Sequence, residues 1–199
     1  MSVRNTDERA EFLTQLECRG PFLHRDPHVH YERNDGKGDG RFEATYSGVW
    51  KRIPTKIRDL LLKFWTDTAV DYVRICAAAY WHGFSTIDGE WTAGATYGGI
   101  LFYFWTPAID LMPDEILANL IVHELTHATF RAKGYTYLSE DDEEREVAKA
   151  MDLMGFSDSA VCEWMRENNE LLANHAQIAR ENERRDRENV PSFVRSPPS

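Results

Sequence analysis

Apolar side chains alternate with polar ones from residue 41 onward, after a polar stretch that ends in the glycine-rich run 34–40. Apolar or small residues occupy every second position from Phe42 to Trp50, which is the period of a half-buried strand. The run 34–40 is rich in Asn, Asp and Gly, which favour turns. The pattern therefore predicts a partly flexible N-terminal extension over 1–40 and a folded domain that opens with a strand.

The spacing of apolar residues then changes to that of a helix. Side chains three and four positions apart predict an amphipathic helix over about 55–66, which begins after Pro54. The β-branched and aromatic residues that follow predict a strand over about 70–79. Gly, Asp and Ser over 85–94 are typical of a loop.

The most strand-prone run in the chain is TYGGILFYFW, residues 96–105. Aromatic and β-branched residues dominate it, so it predicts a strand. Gly98 and Gly99 lie inside the run, and glycines at such positions suggest a bulge or the close approach of another backbone.

The second half of the chain has helical periodicity. The first helix is predicted over about 113–134 and the second over about 140–155, and a third begins at Ser157 or Asp158. The charged, proline-containing residues 181–199 are expected to be a disordered tail.

These elements together predict one α+β domain over residues 41–180. Its sheet should be small, twisted and either mixed or mostly antiparallel. The sheet is expected to pack on the helix over 113–134, and two further C-terminal helices should close the core.

The sequence His123-Glu124-Leu125-Thr126-His127 lies in the middle of the first of these helices. Positions four apart lie one turn above each other on the same face, so the two imidazoles can converge on one ion. Glu124 projects beside them, where it can take a proton from a zinc-bound water. Helix histidines are also found merely packed or exposed, but the apolar residues before His123 favour a catalytic zinc site.

A catalytic zinc usually has three protein ligands and an open position for water, so one ligand is missing from the motif. A metzincin would have a glycine and a histidine at the positions of Phe130 and Lys133, which excludes that class. A carboxylate from the next helix is the other common solution.

Three stretches resemble the gluzincin branch of the zincin metallopeptidases. They are TYGGILFYFW (96–105), EILANLIVHELTHATF (115–130) and EEREVAKAMDLMG (143–155). Within this branch the chain is most similar to the ImmA/IrrE-type peptidases and the SprT-like group. The resemblance implies a zincin-like fold and a zinc metallopeptidase in which Glu124 acts as general base and then as general acid.

The resemblance also implies that Glu144 is the third ligand. Glu140, Glu143 and Glu146 lie close by in the sequence and stay open as alternatives. The family's usual asparagine or aspartate, which supports a zinc histidine, falls on Ala148. Either another acid supplies that support here or the alignment is shifted by one turn.

Two further roles follow from the resemblance. The strand over 96–105 would be the sheet edge that receives an extended substrate, with Tyr97 and Tyr103 nearby. A hydrogen-bond donor to the oxyanion is also required. The sequence offers several without selecting one: Tyr135, Tyr137, Arg145 and His175.

Other histidines are assigned simpler roles. His24, His28 and His30 form a cluster that could bind a second metal or block the active site as a pro-segment would, although a solvated loop is favoured. His82 is expected to be a packed or hydrogen-bonded residue.

Composition narrows the functional class. The chain has 33 acidic and 23 basic residues and a formal net charge of −10, which disfavours nucleic acid as a partner. An apolar run long enough for a signal peptide or a membrane span is missing from the sequence, so a cytoplasmic protein without membrane contact is expected. We expect a peptide or protein substrate. The alternatives are a latent or non-catalytic zincin-fold regulatory protein and a zinc hydrolase of a non-peptide amide.

Overall fold

The computed structural model describes residues 23–26, 29–33, 40–68, 73–78, 92–136 and 139–189. Within these ranges helices and strands are both present, and the fold belongs to the α+β class, as predicted. The elements in chain order are β1 Leu23–Asp26, β2 Val29–Arg33, α1 Gly40–Arg52, α2 Thr55–Asp67, β3 Val73–Ala78, β4 Gly94–Tyr97, β5 Leu101–Trp105, α3 Thr106–Leu111, α4 Asp114–Ala132, α5 Glu140–Leu153, α6 Asp158–Glu167 and α7 Asn169–Asn189.

The strands form one mixed sheet in the order β1-β2-β3-β5-β4. The outer pairs, β1 with β2 and β4 with β5, are antiparallel. The inner pairs, β2 with β3 and β3 with β5, are parallel. β1 and β2 lie within residues 1–40, the stretch predicted as an extension, and β4 is at the opposite edge of the described sheet.

The strand predicted over residues 41–50 is wrong, because this segment is helix α1. The buried apolar side chains, Phe42 and Val49 in α1 and Ile53 directly after it, are spaced seven and four residues apart, which is helical spacing. Ala44 belongs to the alternating pattern but is exposed. The alternation was therefore a coincidence within an amphipathic helix.

The single strand predicted over residues 96–105 is a hairpin of β4 and β5. Gly98 and Gly99 have φ angles of 59° and 74°, a left-handed backbone that glycine adopts without strain. Two such residues in succession are typical of tight hairpin turns. The chain reverses there, and Tyr97 pairs with Leu101.

The predicted helices are confirmed in position, with differences at the C-terminal end. The helices expected over about 55–66, 113–134 and 140–155 are α2, α4 and α5. The third C-terminal helix is divided into α6 and α7 at Asn168, so three helices follow α4 instead of two. α7 continues to Asn189, and residues 190–199 lie outside the described part of the chain.

α4 is the centre of the molecule. It packs against α1, α2, α5, α6 and β4. Its buried residues are distributed around most of its circumference, which is typical of a helix enclosed by other elements. Arg41 of α1 anchors its start, because the guanidinium pairs with Asp114 and donates to the carbonyl of Ile109 at 2.8 Å. Of the helices that the structure describes, none has the length and apolar character needed to cross a membrane.

Candidate metal centre

Three side chains from two helices meet at one point. His123 and His127 project from the same face of α4, and their Nε2 atoms are 3.1 Å apart. Glu144 reaches both from α5, with Oε2 3.4 Å from Nε2 of His123 and Oε1 3.3 Å from Nε2 of His127. Among the described residues, these three form the group of His, Cys, Asp and Glu side chains that could hold a metal ion.

The separations of these atoms fit a zinc ion. Zinc binds imidazole nitrogen and carboxylate oxygen at about 2.0–2.2 Å, so two ligands at the tetrahedral angle lie about 3.3 Å apart. The two imidazole nitrogens are 3.1 Å apart, and each lies 3.3 or 3.4 Å from a different oxygen of Glu144, distances that are close to this value. Imidazole nitrogen and carboxylate oxygen are also the ligand types that catalytic zinc sites use.

Each histidine is oriented by a second carboxylate on its other ring nitrogen. Nδ1 of His123 lies 2.8 Å from Oδ1 of Asp158, and Nδ1 of His127 lies 2.9 Å from Oε1 of Glu143. An ionised carboxylate can only accept, so in both pairs Nδ1 donates and the Nε2 lone pair can be directed at a metal. This is the arrangement that supports metal-binding histidines in proteins.

The acidic run at the start of α5 is thus divided by role. Glu144 joins the histidines, whereas its neighbour Glu143 supports His127 through Nδ1. Glu146 pairs with Lys149 at 2.5 Å. The support that the resemblance placed at Ala148 comes from Glu143 and from Asp158.

The carboxylates change the proton affinities of the metal-free site. Burial opposes a charge on His127, but its hydrogen bonds to Glu143 and Glu144 outweigh burial and raise its pKa to about 10. Burial likewise opposes a charge on His123, and the hydrogen bond to Asp158 leaves its pKa raised. The hydrogen bonds to the histidines lower the pKa of Glu143 and that of Asp158. Glu143 and Asp158 are therefore held ionised in the metal-free protein, and the histidines must release their extra protons when a metal binds.

Glu124 lies beside this group and faces β4. Its side chain is only 3% exposed, and burial raises its pKa. Thr96 Oγ1 donates to Glu124 Oε2 at 2.5 Å and lies 3.2 Å from the backbone oxygen of the same residue. The charges of His123 and His127 act in the opposite direction and favour the ionised carboxylate.

Asp158 reaches His123 because the start of α6 is fixed to α4. The Ser157 hydroxyl caps α6 by accepting from the Ala160 N–H at 3.3 Å. The Ser157 N–H donates to Oδ1 of Asn119 at 3.1 Å. Asn119 is one helical turn before His123, so the bond places the next residue, Asp158, over that imidazole.

The sequence pattern did not indicate that Asp158, Asn119, Thr96 and Gly94 lie at or next to the candidate site. Asp158 carried a local signal only as a possible helix start. Its partner His123 is 35 residues away in the sequence, and nothing local relates the two. Thr96 and Gly94 lie in a strand whose contact with Glu124 depends on the packing of β4 on α4.

The tyrosines proposed for substrate or oxyanion contacts lie in two places, as far as the structure describes them. Tyr97 and Tyr103 face each other across the hairpin, with ring centroids 5.8 Å apart. Tyr135 follows α4, where its ring is 5.8 Å from that of Phe130 and 5.6 Å from Nζ of Lys133. Tyr137 is outside the described residues.

The remaining polar candidates lie on several different elements. His175 is half-buried on α7, and Arg145 pairs with Asp142 on α5. His24 and His30 are opposite each other in the register of β1 and β2. His28 and His82 lie outside the described residues.

Comparison of the chain with protein-family models, curated proteins and solved structures finds no match.

Proposed function

We propose that this protein is a zinc-dependent hydrolase of the zincin type that cleaves peptide bonds. His123, His127 and Glu144 would hold the metal, and Glu124 would be the general base and then the general acid. The observation that carries the proposal is that two imidazole Nε2 atoms 3.1 Å apart each lie 3.3–3.4 Å from one oxygen of the Glu144 carboxylate, next to the buried carboxylate of Glu124.

The division of labour between ion and protein follows from this arrangement. When bound, zinc polarises a carbonyl group and makes water a usable nucleophile near neutral pH. Glu124 would accept the proton of the attacking water and deliver it to the departing amine. Asp158 and Glu143 would keep both imidazoles in the tautomer that directs Nε2 at the metal.

A peptide substrate fits the position of β4. Edge strands carry backbone N–H and C=O groups that can pair with an added strand, and β4 ends the described sheet. Thr96 of β4 contacts Glu124, so a peptide paired with this edge would pass the general base. In the hairpin, the substrate edge is therefore β4 alone, since β5 lies inside the sheet.

A metal site kept only for structure is the main alternative, and Glu124 argues against it. Burying a carboxylate costs free energy unless it is compensated. A structural zinc site has no use for such a group beside the metal. The same observation leaves open whether the scissile amide belongs to a peptide or to another compound, which the substrate arm of the test decides.

The test compares the parent protein with Glu124→Gln. Both should bind one zinc per chain when the metal-free protein is titrated against a chromophoric chelator, and Mg²⁺ should not compete, because imidazole suits zinc and not Mg²⁺. The parent should cleave members of a mixed peptide library followed by mass spectrometry, and Glu124→Gln should be slower by about 10²–10⁴-fold.

Glu146→Gln is the matched control, since it makes the same change on an exposed side chain of α5. It should bind zinc and cleave like the parent. Equal rates for the parent and Glu124→Gln would exclude the mechanism. Zinc binding without cleavage of any peptide would favour the regulatory alternative, or a non-peptide amide if simple amides are hydrolysed.

A further inference from the structure

The strand β4 contacts the general base at two points. The Thr96 hydroxyl is 2.5 Å from Glu124 Oε2. The second point is Gly94, whose backbone lies against the other carboxylate oxygen of Glu124. β4 therefore meets both oxygens of a side chain that is buried in the protein.

The Thr96 hydroxyl donates its hydrogen bond to the Glu124 carboxylate. The hydroxyl has one hydrogen to donate and two acceptors within reach, Oε2 at 2.5 Å and the Glu124 backbone oxygen at 3.2 Å. The carboxylate oxygen is the closer acceptor, so it forms the stronger bond. One oxygen of Glu124 is thus held in place by a donor outside its own helix.

The absence of a side chain at position 94 makes room for the other oxygen. A Cβ atom built on Gly94 would collide with Oε1 and lie 3.0 Å from Cδ and 3.1 Å from Cγ of Glu124. Glu124 cannot easily withdraw, because Thr96 holds Oε2 and the residue is buried. Glycine is therefore required here for space.

We infer that Thr96 and Gly94 are positioning residues, which fix the orientation of the Glu124 carboxylate beside the metal centre. The inference rests on the proposed function in so far as Glu124 is the general base. Without the Thr96 hydroxyl, the Glu124 carboxylate loses the hydrogen bond that holds Oε2 against β4. A base that is held in one orientation before the reaction loses less free energy in reaching the transition state.

The test uses Thr96→Val, which removes the hydroxyl and keeps the shape, and Thr96→Ser, which keeps the hydroxyl. Gly94→Ala tests the second contact. The matched controls are Thr45→Val, which removes a hydroxyl that donates to the Arg41 carbonyl, and Gly48→Ala, which adds a methyl group in open space.

Three quantities are measured on each full-length variant: zinc affinity, kcat and KM for a peptide that the parent cleaves, and the affinity of the zinc-loaded protein for acetohydroxamate. Acetohydroxamate binds zinc, and its N–H and O–H groups can donate hydrogen bonds to a neighbouring carboxylate that is correctly oriented. Its binding therefore reports on Glu124 without any turnover.

We expect Thr96→Val to lower kcat about tenfold or more, since a hydrogen bond to a charged group is lost, while KM and zinc affinity stay close to the parent values. Acetohydroxamate should bind more weakly by a similar factor. Thr96→Ser should recover most of both losses, and Gly94→Ala should show them again. The two controls should behave like the parent.

The inference is overturned if Thr96→Val keeps the parent kcat and acetohydroxamate affinity, or if Thr96→Ser loses as much as Thr96→Val. Should Thr96→Val fail to fold, parent values in Gly94→Ala would overturn it equally. If the parent cleaves no peptide, the proposed function fails, but the affinity for acetohydroxamate still tests the positioning role of Thr96. Weaker binding to Thr96→Val than to the parent supports that role, and equal binding refutes it.

Discussion

Each of the two imidazoles directs Nε2 toward the candidate metal position and has a carboxylate bonded to Nδ1. For His123 that carboxylate is Asp158, at 2.8 Å. Such a partner fixes the ring and its tautomer and makes the ligand nitrogen more basic, and its removal typically lowers metal affinity by about 10–100-fold. We therefore expect the affinity of the site for zinc to depend on Asp158 and Glu143 as well as on the three proposed ligands.

Asp158→Asn should weaken zinc binding by about 10–100-fold, because the neutral amide keeps the shape of the side chain but not its charge. Competition with a chelator of known affinity measures the loss. Asp152→Asn makes the same change at an exposed position of α5 and should bind zinc like the parent. Equal affinities for the two variants would show that Asp158 does not support His123.

Adjacent acids on α5 should differ in the size of their effect. Glu144→Gln removes a charged ligand and should cost more zinc affinity than Glu143→Gln, which should lose about 10–100-fold by weakening the support of His127. The same chelator titration ranks the two. The reverse order would assign the third ligand to Glu143.

The part of the site that lies on α4 could be predicted from the sequence. The spacing of His123, Glu124 and His127 within a periodic segment specifies which side chains share a face. The choice between Glu143 and Glu144 depends on how α5 is rotated against α4, and adjacent positions on a helix point about 100° apart. That rotation is set by packing across the domain and leaves no local pattern.

At the scale of elements, the start of α6 is fixed to α4 by one side chain. Asn119→Ala would leave the Ser157 N–H without its acceptor and should lower the free energy of unfolding by about 1 kcal/mol. Zinc affinity should fall as well, since Asp158 follows Ser157 directly. Denaturant unfolding and chelator competition measure the two effects.

Asn168→Ala provides the comparison at the other end of α6. It removes an amide hydrogen bond of 2.8 Å to the Trp164 carbonyl, so a similar loss of stability is expected. Zinc affinity should not change. Equal zinc affinities for the Asn119 and Asn168 variants would show that Asn119 does not position Asp158.

The hairpin turn is the second element-scale feature that a substitution can test. Gly99→Ala should destabilise the protein by about 3 kcal/mol, because its φ is positive and the added Cβ would lie 3.0 Å from the Phe64 ring. Gly134 has a similar φ, but a Cβ there would lie in open space, so Gly134→Ala should lower the free energy of unfolding by only about 1–2 kcal/mol. Urea unfolding compares them, and equal losses would mean that crowding at Gly99 is relieved cheaply.

The elements that could be predicted were those whose apolar spacing has one interpretation. In α2, α4 and α5 the apolar residues recur at three- and four-residue spacings, which alternation does not produce. In α1, Phe42, Tyr46 and Trp50 satisfy both periods, and tertiary packing decided for the helix. β4 and β5 were merged because the turn between them consists of residues that equally suit a bulge.

At the scale of the whole molecule, the candidate metal centre combines side chains from three helices that are consecutive in the sequence. α4 contributes both histidines, α5 contributes Glu144 and Glu143, and α6 contributes Asp158. The site also gathers several carboxylates around two imidazoles in a chain whose net charge is −10. A divalent cation should relieve the repulsion among these carboxylates and hold the three helices together.

Zinc should accordingly stabilise the folded state. An ion at a thousandfold excess over its Kd, bound by the folded protein alone, adds about 4 kcal/mol, which corresponds to a rise in Tm of about 10 °C for a chain of this length. Differential scanning fluorimetry with zinc and with a chelator measures it. Glu124→Gln should show the full rise, because that residue is not a ligand, and His127→Ala should show almost none.

Amide hydrogen exchange should slow on α4 and in the first turns of α5 and α6, where the ligands and their partners lie, but not on α2. A uniform slowing over the described helices would instead mean that zinc acts through global stability, and no change in Tm for the parent would mean that the three donors do not form a metal site.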